Sequence, residues 1–436
     1  MSAESAAVHE AATRVHRQAL EDERVVERAK LLLLDFTSVV LATHRPDHDR
    51  MLAAARRGPA PHALAFALSA RDHFHDFDDI YDRGRVHVGP VTWPALLAMP
   101  DTSGRELLAA YASTATVLGV LAEAAAPWQN PLARNWFLTQ TLGGLSSAVA
   151  CSLAAGADAG VMGDALGLAY MQACGTKEPA AGTGSSARRI YPAFGAQGGV
   201  LAYELAAAGF DGPPAWASGT AGLGRVYLGD TEFGTRLDAL LAEASAELVC
   251  DIACKPWPCC RSTHRYLDGL RTLLDVAPAA GAGGAAGEIE LTALSADVWL
   301  LEPVAGRTHP PTIADGKYSI PFVLAMALTR GVRLGAWDAA ALTDPAVTGL
   351  AETLSAGRTL ADTAVVTGIG GASVTCEQPA ASAWGIDDAV AKYHECADYA
   401  GVLPAELRDR LLVDVLRLDE LDSVHGSAVG EVLLRA

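Results

Sequence analysis

Apolar positions along the first half of the chain recur at helical spacing. From Val26, the residues Ala29, Leu33, Phe36 and Val40 follow at steps of three and four, which lays one stripe along a helix, with Lys30 and Asp35 off that stripe. The same patterning predicts helices over Arg105 to Ala125, Leu142 to Ala155, Asp164 to Ala173 and Gly199 to Ala208, the last closed by Gly209. This half reads as mainly helical.

The character changes after Cys254. A helix from Thr263 to Leu274 runs into the Ala/Gly tract Pro278 to Gly287, a linker by composition, and Glu288-Ile289-Glu290-Leu291 then alternates as a half-buried strand does. Ser319 to Arg330 returns to helix, with Pro321 in its first turn and Gly331 at its end. Val365 to Thr367 and Ala372 to Cys376 predict short strands around the glycines of Gly368-Ile369-Gly370-Gly371, and Ile386 to Ala397 and Pro404 to Leu418 are helical again. The expected fold class is mainly α with α+β: a large all-helical domain, discontinuous over residues 1–252 and 384–436, with a smaller α+β domain over 253–383 inserted into it. No internal repeat is present.

Composition narrows the function classes. At 436 residues with 50% apolar and 19% charged positions, the chain is that of a compact globular protein of about two domains. Its net charge of −18 argues against a nucleic-acid partner, which would require a basic face to neutralise phosphates. The same charge repels anionic substrates, so a site for a carboxylic acid must gather Lys, Arg and His locally. No secretion signal is visible among the first thirty residues, and the run Leu31 to Leu34 is broken by Asp35, with no 18-residue apolar run elsewhere, so neither export nor a membrane span is expected and a cytoplasmic location is. Eight cysteines are expected as free thiols.

The densest polar cluster is His73-Phe74-His75-Asp76-Phe77-Asp78-Asp79, followed by His87 and Gly89-Pro90. Three carboxylates in four residues repel one another unless they meet cations or differ in surroundings, the arrangement by which one acquires a shifted pKa. The alternatives are a solvated acidic loop, or a metal site from His73, His75, Asp76 and His87, although the i, i+2 histidines and the lack of HExxH do not support a metal. Cys250, Cys254, Cys259 and Cys260 fit neither CxxC ligation nor iron–sulfur spacing well. Lys255 to His264 contains two prolines that fix an extended entry to a helix whose first turn carries Arg261 and His264, where anions are attracted; a structural capping loop is the alternative. Gly182 to Ala187 imitates GxGxxA without a preceding strand, a weak match to dinucleotide binding. Arg188-Arg189-Ile190-Tyr191-Pro192 offers guanidiniums suited to a carboxylate.

Taken in order, these pieces resemble the MmgE/PrpD family (2-methylcitrate dehydratase and cis-aconitate decarboxylase). Val25 to Asp35 resembles its opening helix; Asp76-Phe77-Asp78-Asp79 with His87 and Pro94 resembles its DFDD...HP region; and Arg188 to Gly199 resembles T-K-R-L-H-P before a long helix. Lys255 to His264 resembles K-x-Y-P-x-C-x-x-T-H, and Lys317 to Phe322 resembles K-F-S-L-P-Y. The resemblance implies a cofactor-independent enzyme acting beside a carboxylate, as dehydratase, decarboxylase, isomerase or epimerase. It also implies a helical domain with an α+β lid, an active site between them and a homodimer. Asp76, His87 and Lys255 fall on family active-site positions, Arg188 where Lys is common, and Cys260 where Cys and His alternate. Tyr191 and Gln197 replace family histidines, and a further histidine near Phe137-Leu138-Thr139 is missing, which counts against a cis-aconitate decarboxylase.

The mechanism expected on that basis eliminates water from a β-hydroxy acid. Lys255, Arg188 and Arg261 hold carboxylates, with Cys260 and His264 beside them; His87 and Asp76 divide the proton transfers; Tyr191 or Lys317 orients the substrate; and Asp79 tunes His87. No metal is expected. The rival from another class is a noncatalytic relative that binds an acid or a partner protein.

Overall fold

The computed structural model describes residues 2–45, 48, 52, 60–180, 184–276, 289–368 and 371–434. The Pro278 to Gly287 tract, Glu288, Ile369-Gly370 and Gly182-Thr183 lie outside the described residues.

The helical patterning becomes α1 (Ala3–Glu21), α2 (Glu23–Ala42), α3 (Pro61–His73), α4 (Gly89–Leu97), α5 (Gly104–Ala124), α6 (Leu138–Ala154), α7 (Ala159–Tyr170) and α8 (Tyr191–Ala207). Two shorter helices follow, α9 (Leu223–Leu228) and α10 (Phe233–Ala242), and then α11 (Arg261–Val276), α12 (Val304–Thr308), α13 (Ile313–Gly316), α14 (Ile320–Thr329) and α15 (Pro345–Ala356). The chain ends in α16 (Ile386–Ala400), α17 (Ala405–Leu416) and α18 (Ala428–Leu433).

Strands are few. β1 (Ile80–Tyr81) pairs antiparallel with β2 (Ile252–Ala253). A four-stranded sheet has the order β4 (Thr359–Ala361), β3 (Glu290–Leu294), β5 (Val365–Thr367), β6 (Ser373–Thr375), with β3 parallel to β4 and antiparallel to β5. The fold is thus mainly helical with a small α+β region.

Two large apolar clusters organise the chain. One draws its buried residues from Val8 to Cys254 and again from Ala389 to Leu433; the other takes them from Cys259 to Cys376. The first is built by α6 packed along α8, α3 and α7 on α8, α1 on α5, and α16 returning onto α2. That return explains a departure from the stripe reading. Lys30 and Asp35 are buried, because α2 is covered all round: Lys30 pairs with Asp419 at 2.9 Å and Asp35 with Lys392 at 2.6 Å. Burying such charges is tolerable only when each meets its partner.

One helix begins well before its expected start. α8 opens at Tyr191, with Pro192 in its first turn, and includes the Gly195, Gly198 and Gly199 positions that mask its periodicity in the sequence. Those glycines admit α6: a Cβ on Gly199 would stand 2.2 Å from the Gly144 carbonyl oxygen and 2.4 Å from the Ser147 Cβ. We expect Gly199→Ala to destabilise the fold by about 1–3 kcal/mol through overpacking, measured as a lowered urea midpoint.

α5 is, among the described helices, the one long and apolar enough to cross a membrane; 94% of that stretch is buried inside the protein, as a core helix requires. All eight cysteines are free.

Candidate active site

The strand pair places the site. With Ile80 opposite Ala253 and Tyr81 opposite Ile252, continuing the antiparallel register sets Lys255 across from the acidic run that precedes β1. The run is not a solvated loop: His73, His75, Asp76, Asp78 and Asp79 are all buried, as is Lys255.

Asp78 lies between two imidazoles. Its Oδ2 is 2.8 Å from His73 Nδ1 and 2.8 Å from His87 Nδ1, and the rings meet edge to face at 4.8 Å. His87 Nδ1 is also 2.8 Å from the Asp79 backbone oxygen, while its backbone N–H donates to the Thr139 hydroxyl in the first turn of α6 at 2.9 Å. Two oxygen acceptors at Nδ1 favour the tautomer that carries its proton there and leave Nε2 with a lone pair. Burial opposes ionisation of Asp78, but His73, His87 and Lys255 outweigh it and hold the carboxyl well below the usual range.

Asp79 does something else than the sequence indicated. Its carboxylate accepts from the backbone N–H of Val88 and Gly89 at 2.9 and 2.8 Å, holding the start of α4, so the carboxylate partner of His87 is Asp78 and not Asp79. Burial among Asp35 and Asp78 pushes Asp79 up to about 6.

Asp76 has a left-handed backbone, φ 54°, a conformation that costs a non-glycine residue free energy and recurs at functional sites. Lys255 Nζ donates to its carbonyl at 3.0 Å and to its Oδ1 at 2.5 Å, and stands 3.9 Å from Asp78 Oδ1. Asp76 Oδ2 has no hydrogen-bond partner among the described residues. Although burial raises its pKa, Lys255, His73 and His87 prevail and Asp76 is held below its ordinary value. Behind this pair, Lys392 Nζ binds Asp35 and the Phe77 carbonyl, both at 2.6 Å, and ties α16 to the loop.

A cavity of about 110 Å³ opens in front of these groups, bordered by Asp76, His87, Thr139, Tyr191, Cys260 and Arg261. It shares the walls Arg85, Phe137, Lys177, Trp299 and Tyr318 with an outer chamber of about 440 Å³. Cys260, Arg261, Trp299 and Tyr318 come from the stretch that builds the second apolar cluster, and the remaining named walls from the stretch that builds the first. Tyr191 stacks on Phe137 at 4.0 Å; burial, with Asp78 nearby, raises its phenol well above its ordinary value, so it stays protonated. Burial pushes the Cys260 thiol up to about 11.

Of the basic residues expected to hold carboxylates, only Arg261 borders the cavity, and its guanidinium is taken by Asp82 at 2.8 Å and the Pro379 carbonyl. Lys255, expected to hold a carboxylate of the substrate, pairs instead with Asp76 and lines neither chamber. Arg188 pairs with Asp315 at 2.9 Å beneath the Tyr318 ring and borders, with Lys317 and Asp76, a separate recess of about 10 Å³. Lys317 donates to the His75 carbonyl at 2.6 Å, and burial, with Arg189 beside it, brings its ammonium down to about 7. His264 borders neither chamber: it is fully buried, its Nε2 3.2 Å from the Cys259 carbonyl oxygen, because the first turn of α11 points it inward against Trp257. Reading by motif missed Asp78 as the histidine partner and missed Arg85, Arg134 and Lys177 on the cavity walls, none of which is a motif position.

Among the described residues, His73, Asp78 and His87 are the group able to share a metal ion, their ligand atoms all within 4.8 Å of one another. This set differs from the sequence candidates, since His75 and Asp76 are not in it. The two imidazoles already meet Asp78 as hydrogen-bond donors, an arrangement that accounts for the cluster without an ion.

No curated protein matches the chain. A family model, the MmgE/PrpD N-terminal domain, matches residues 9–236, more than half of the 436 and including the acidic run, His87 and Tyr191. The chain belongs to the MmgE/PrpD family.

Proposed function

We propose that the protein is a cofactor-independent hydro-lyase that eliminates water from a β-hydroxy carboxylic acid bound in the cavity between the two apolar clusters. Family membership supports a dehydratase-like or related activity. The observation that carries the finer reading is the Asp78–His87 pair at the cavity wall: a carboxylate at Nδ1, and a cavity at a ring whose other nitrogen is uncommitted.

In this reading His87 Nε2 takes the proton from the carbon next to the carboxylate, and Asp78 stabilises the imidazolium that forms. Asp76 is ionised and cannot be the acid, so the proton for the departing hydroxide comes from Tyr191, the neutral phenol on the same wall. Lys255 holds Asp76 in position. The C–H, C–O and Tyr191 O–H bonds break, C=C, His87 N–H and water O–H bonds form, and once water has left the proton on His87 returns to the Tyr191 phenolate to restore the site.

A second reading has one observation in its favour. Asp76 and His87, two groups able to accept a proton, border one cavity, and a two-base site suits an epimerase. Incubating the purified protein with a panel of β-hydroxy di- and tricarboxylic acids, followed by mass spectrometry and chiral chromatography, separates the two. Loss of 18 mass units, the mass of one water, supports the hydro-lyase; inversion at constant mass supports the epimerase and overturns it.

A further inference from the structure

The carboxylates around the two chambers are each matched to a cation of their own. Asp76 is paired with Lys255, Asp82 with Arg261 at 2.8 Å, and Asp297 with the Tyr266 hydroxyl at 2.9 Å and Arg265 at 3.9 Å. Three cations on the same walls remain: Arg85, Arg134 and Lys177 border both chambers, and no carboxylate of the described residues lies within 4.0 Å of any of them. In a chain of net charge −18 this is a local excess of positive charge against the global field.

The three are held there by the fold. Arg85 has a left-handed backbone, φ 54°, and its guanidinium lies over the Trp128 ring at 4.7 Å. Arg134 donates to the Pro127 carbonyl at 3.2 Å and to that of Trp128. The strand-like bridge Trp136–Thr176 and the bond from Lys177 N–H to the Asn135 carbonyl at 2.9 Å bring Lys177 to the same wall. Burial, with Arg85 and Arg134 beside it, lowers the Lys177 ammonium to about 8. Phe137, Trp299 and Tyr318 supply aromatic walls to the same chambers. A chamber of about 440 Å³ is larger than one carboxylate requires and within the range of sites that hold a ligand with an apolar body.

We propose that Arg85, Arg134 and Lys177 bind a second anionic group of the substrate, a carboxylate or phosphate separated by an apolar body from the carboxylate next to the reacting carbon. This deepens the hydro-lyase reading, and rests on it in placing the reacting carboxylate in the inner chamber. Crowded cations, Arg85 and Lys177 half-buried and Arg134 exposed, gain most from an anion that neutralises several at once.

The test is equilibrium binding by calorimetry with non-reacting probes: octanoate, the dicarboxylates succinate, adipate, suberate and sebacate, and 7-phosphonoheptanoate. We expect the best-fitting dianion to bind at least about tenfold more tightly than octanoate, the gain of one or more charge-assisted hydrogen bonds. Lys177→Met, at a wall position shared by both chambers, should shrink that gap to about threefold or less, and an unchanged urea unfolding midpoint shows that the variant is folded. A tighter phosphonate than suberate assigns the distal group as phosphate, and the reverse as carboxylate. Equal affinity for octanoate and every dianion, or an undiminished gap in Lys177→Met, overturns the proposal. Because binding is read without turnover, a gap in a protein that dehydrates nothing sinks the hydro-lyase reading and leaves the anion site standing.

Discussion

Replacing His87 with Gln lowers the turnover of a dehydrated acid by about 10²–10⁴-fold, the usual contribution of a positioned base, while leaving its binding within a few-fold of the parent. Gln keeps a side-chain amide near Asp78 Oδ2 and the Asp79 carbonyl but has no lone pair of imidazole basicity to offer the cavity. Asp78→Asn tests the same pair from behind. It preserves volume but leaves the imidazolium without the carboxylate that stabilises it, and an Asn N–H facing Nδ1 favours the wrong tautomer, so kcat falls with little change in KM. A noncatalytic acid-binding relative would show neither loss, having no turnover to lose.

Lys255→Met is expected to cost about 3–5 kcal/mol of stability, far more than an exposed lysine would, because it leaves Asp76 and Asp78 charged and buried without their cation. Denaturant unfolding of the variant measures it. Removing one of the stranded charges as well, in Lys255→Met with Asp76→Asn, should recover part of the loss, since the two residues share one interaction and their effects do not add. A single variant as stable as the parent would mean that the pair is not buried in solution. The linkage has a definite sign. Asp76 is held below its ordinary pKa, so its contribution is present above the unfolded carboxylate range and is lost as pH falls through the folded value. The parent should therefore lose stability towards acid more steeply than the double variant.

Much of the fold was legible because helix periodicity is a local property. The stretch Val365 to Thr367 is a strand as expected, Gly209 and Gly331 close helices with positive φ of 93° and 87°, and Ser319 caps α14. What escaped depended on distant partners. Nothing near Lys30 or Asp35 says that α16 and the segment after α17 return to cover α2. Nothing in α8 says that its glycines are contact points for α6. The candidate site divides in the same way. Asp76, His87, Tyr191, Cys260 and Arg261 gather at one cavity, as motif order indicated. The roles of the basic residues were not readable, because a lysine's function is set by the carboxylate it meets: Lys255 meets Asp76 across 179 positions, and Lys392 meets the Phe77 carbonyl across 315. That no carboxylate of the described residues lies within 4.0 Å of Arg85, Arg134 or Lys177 is visible only by subtraction, once the carboxylates bordering the chambers have been assigned their cations.

The proposed elimination requires proton abstraction by His87 at the cavity wall. The measurement that reaches it most directly is deuterium incorporation next to the carboxylate of a bound β-hydroxy acid in deuterated water, followed by NMR for the parent, His87→Gln and Tyr191→Phe. Exchange is expected in the parent, none above background in His87→Gln, and exchange that persists without elimination in Tyr191→Phe. Exchange that survives in His87→Gln at the parental rate would contradict it.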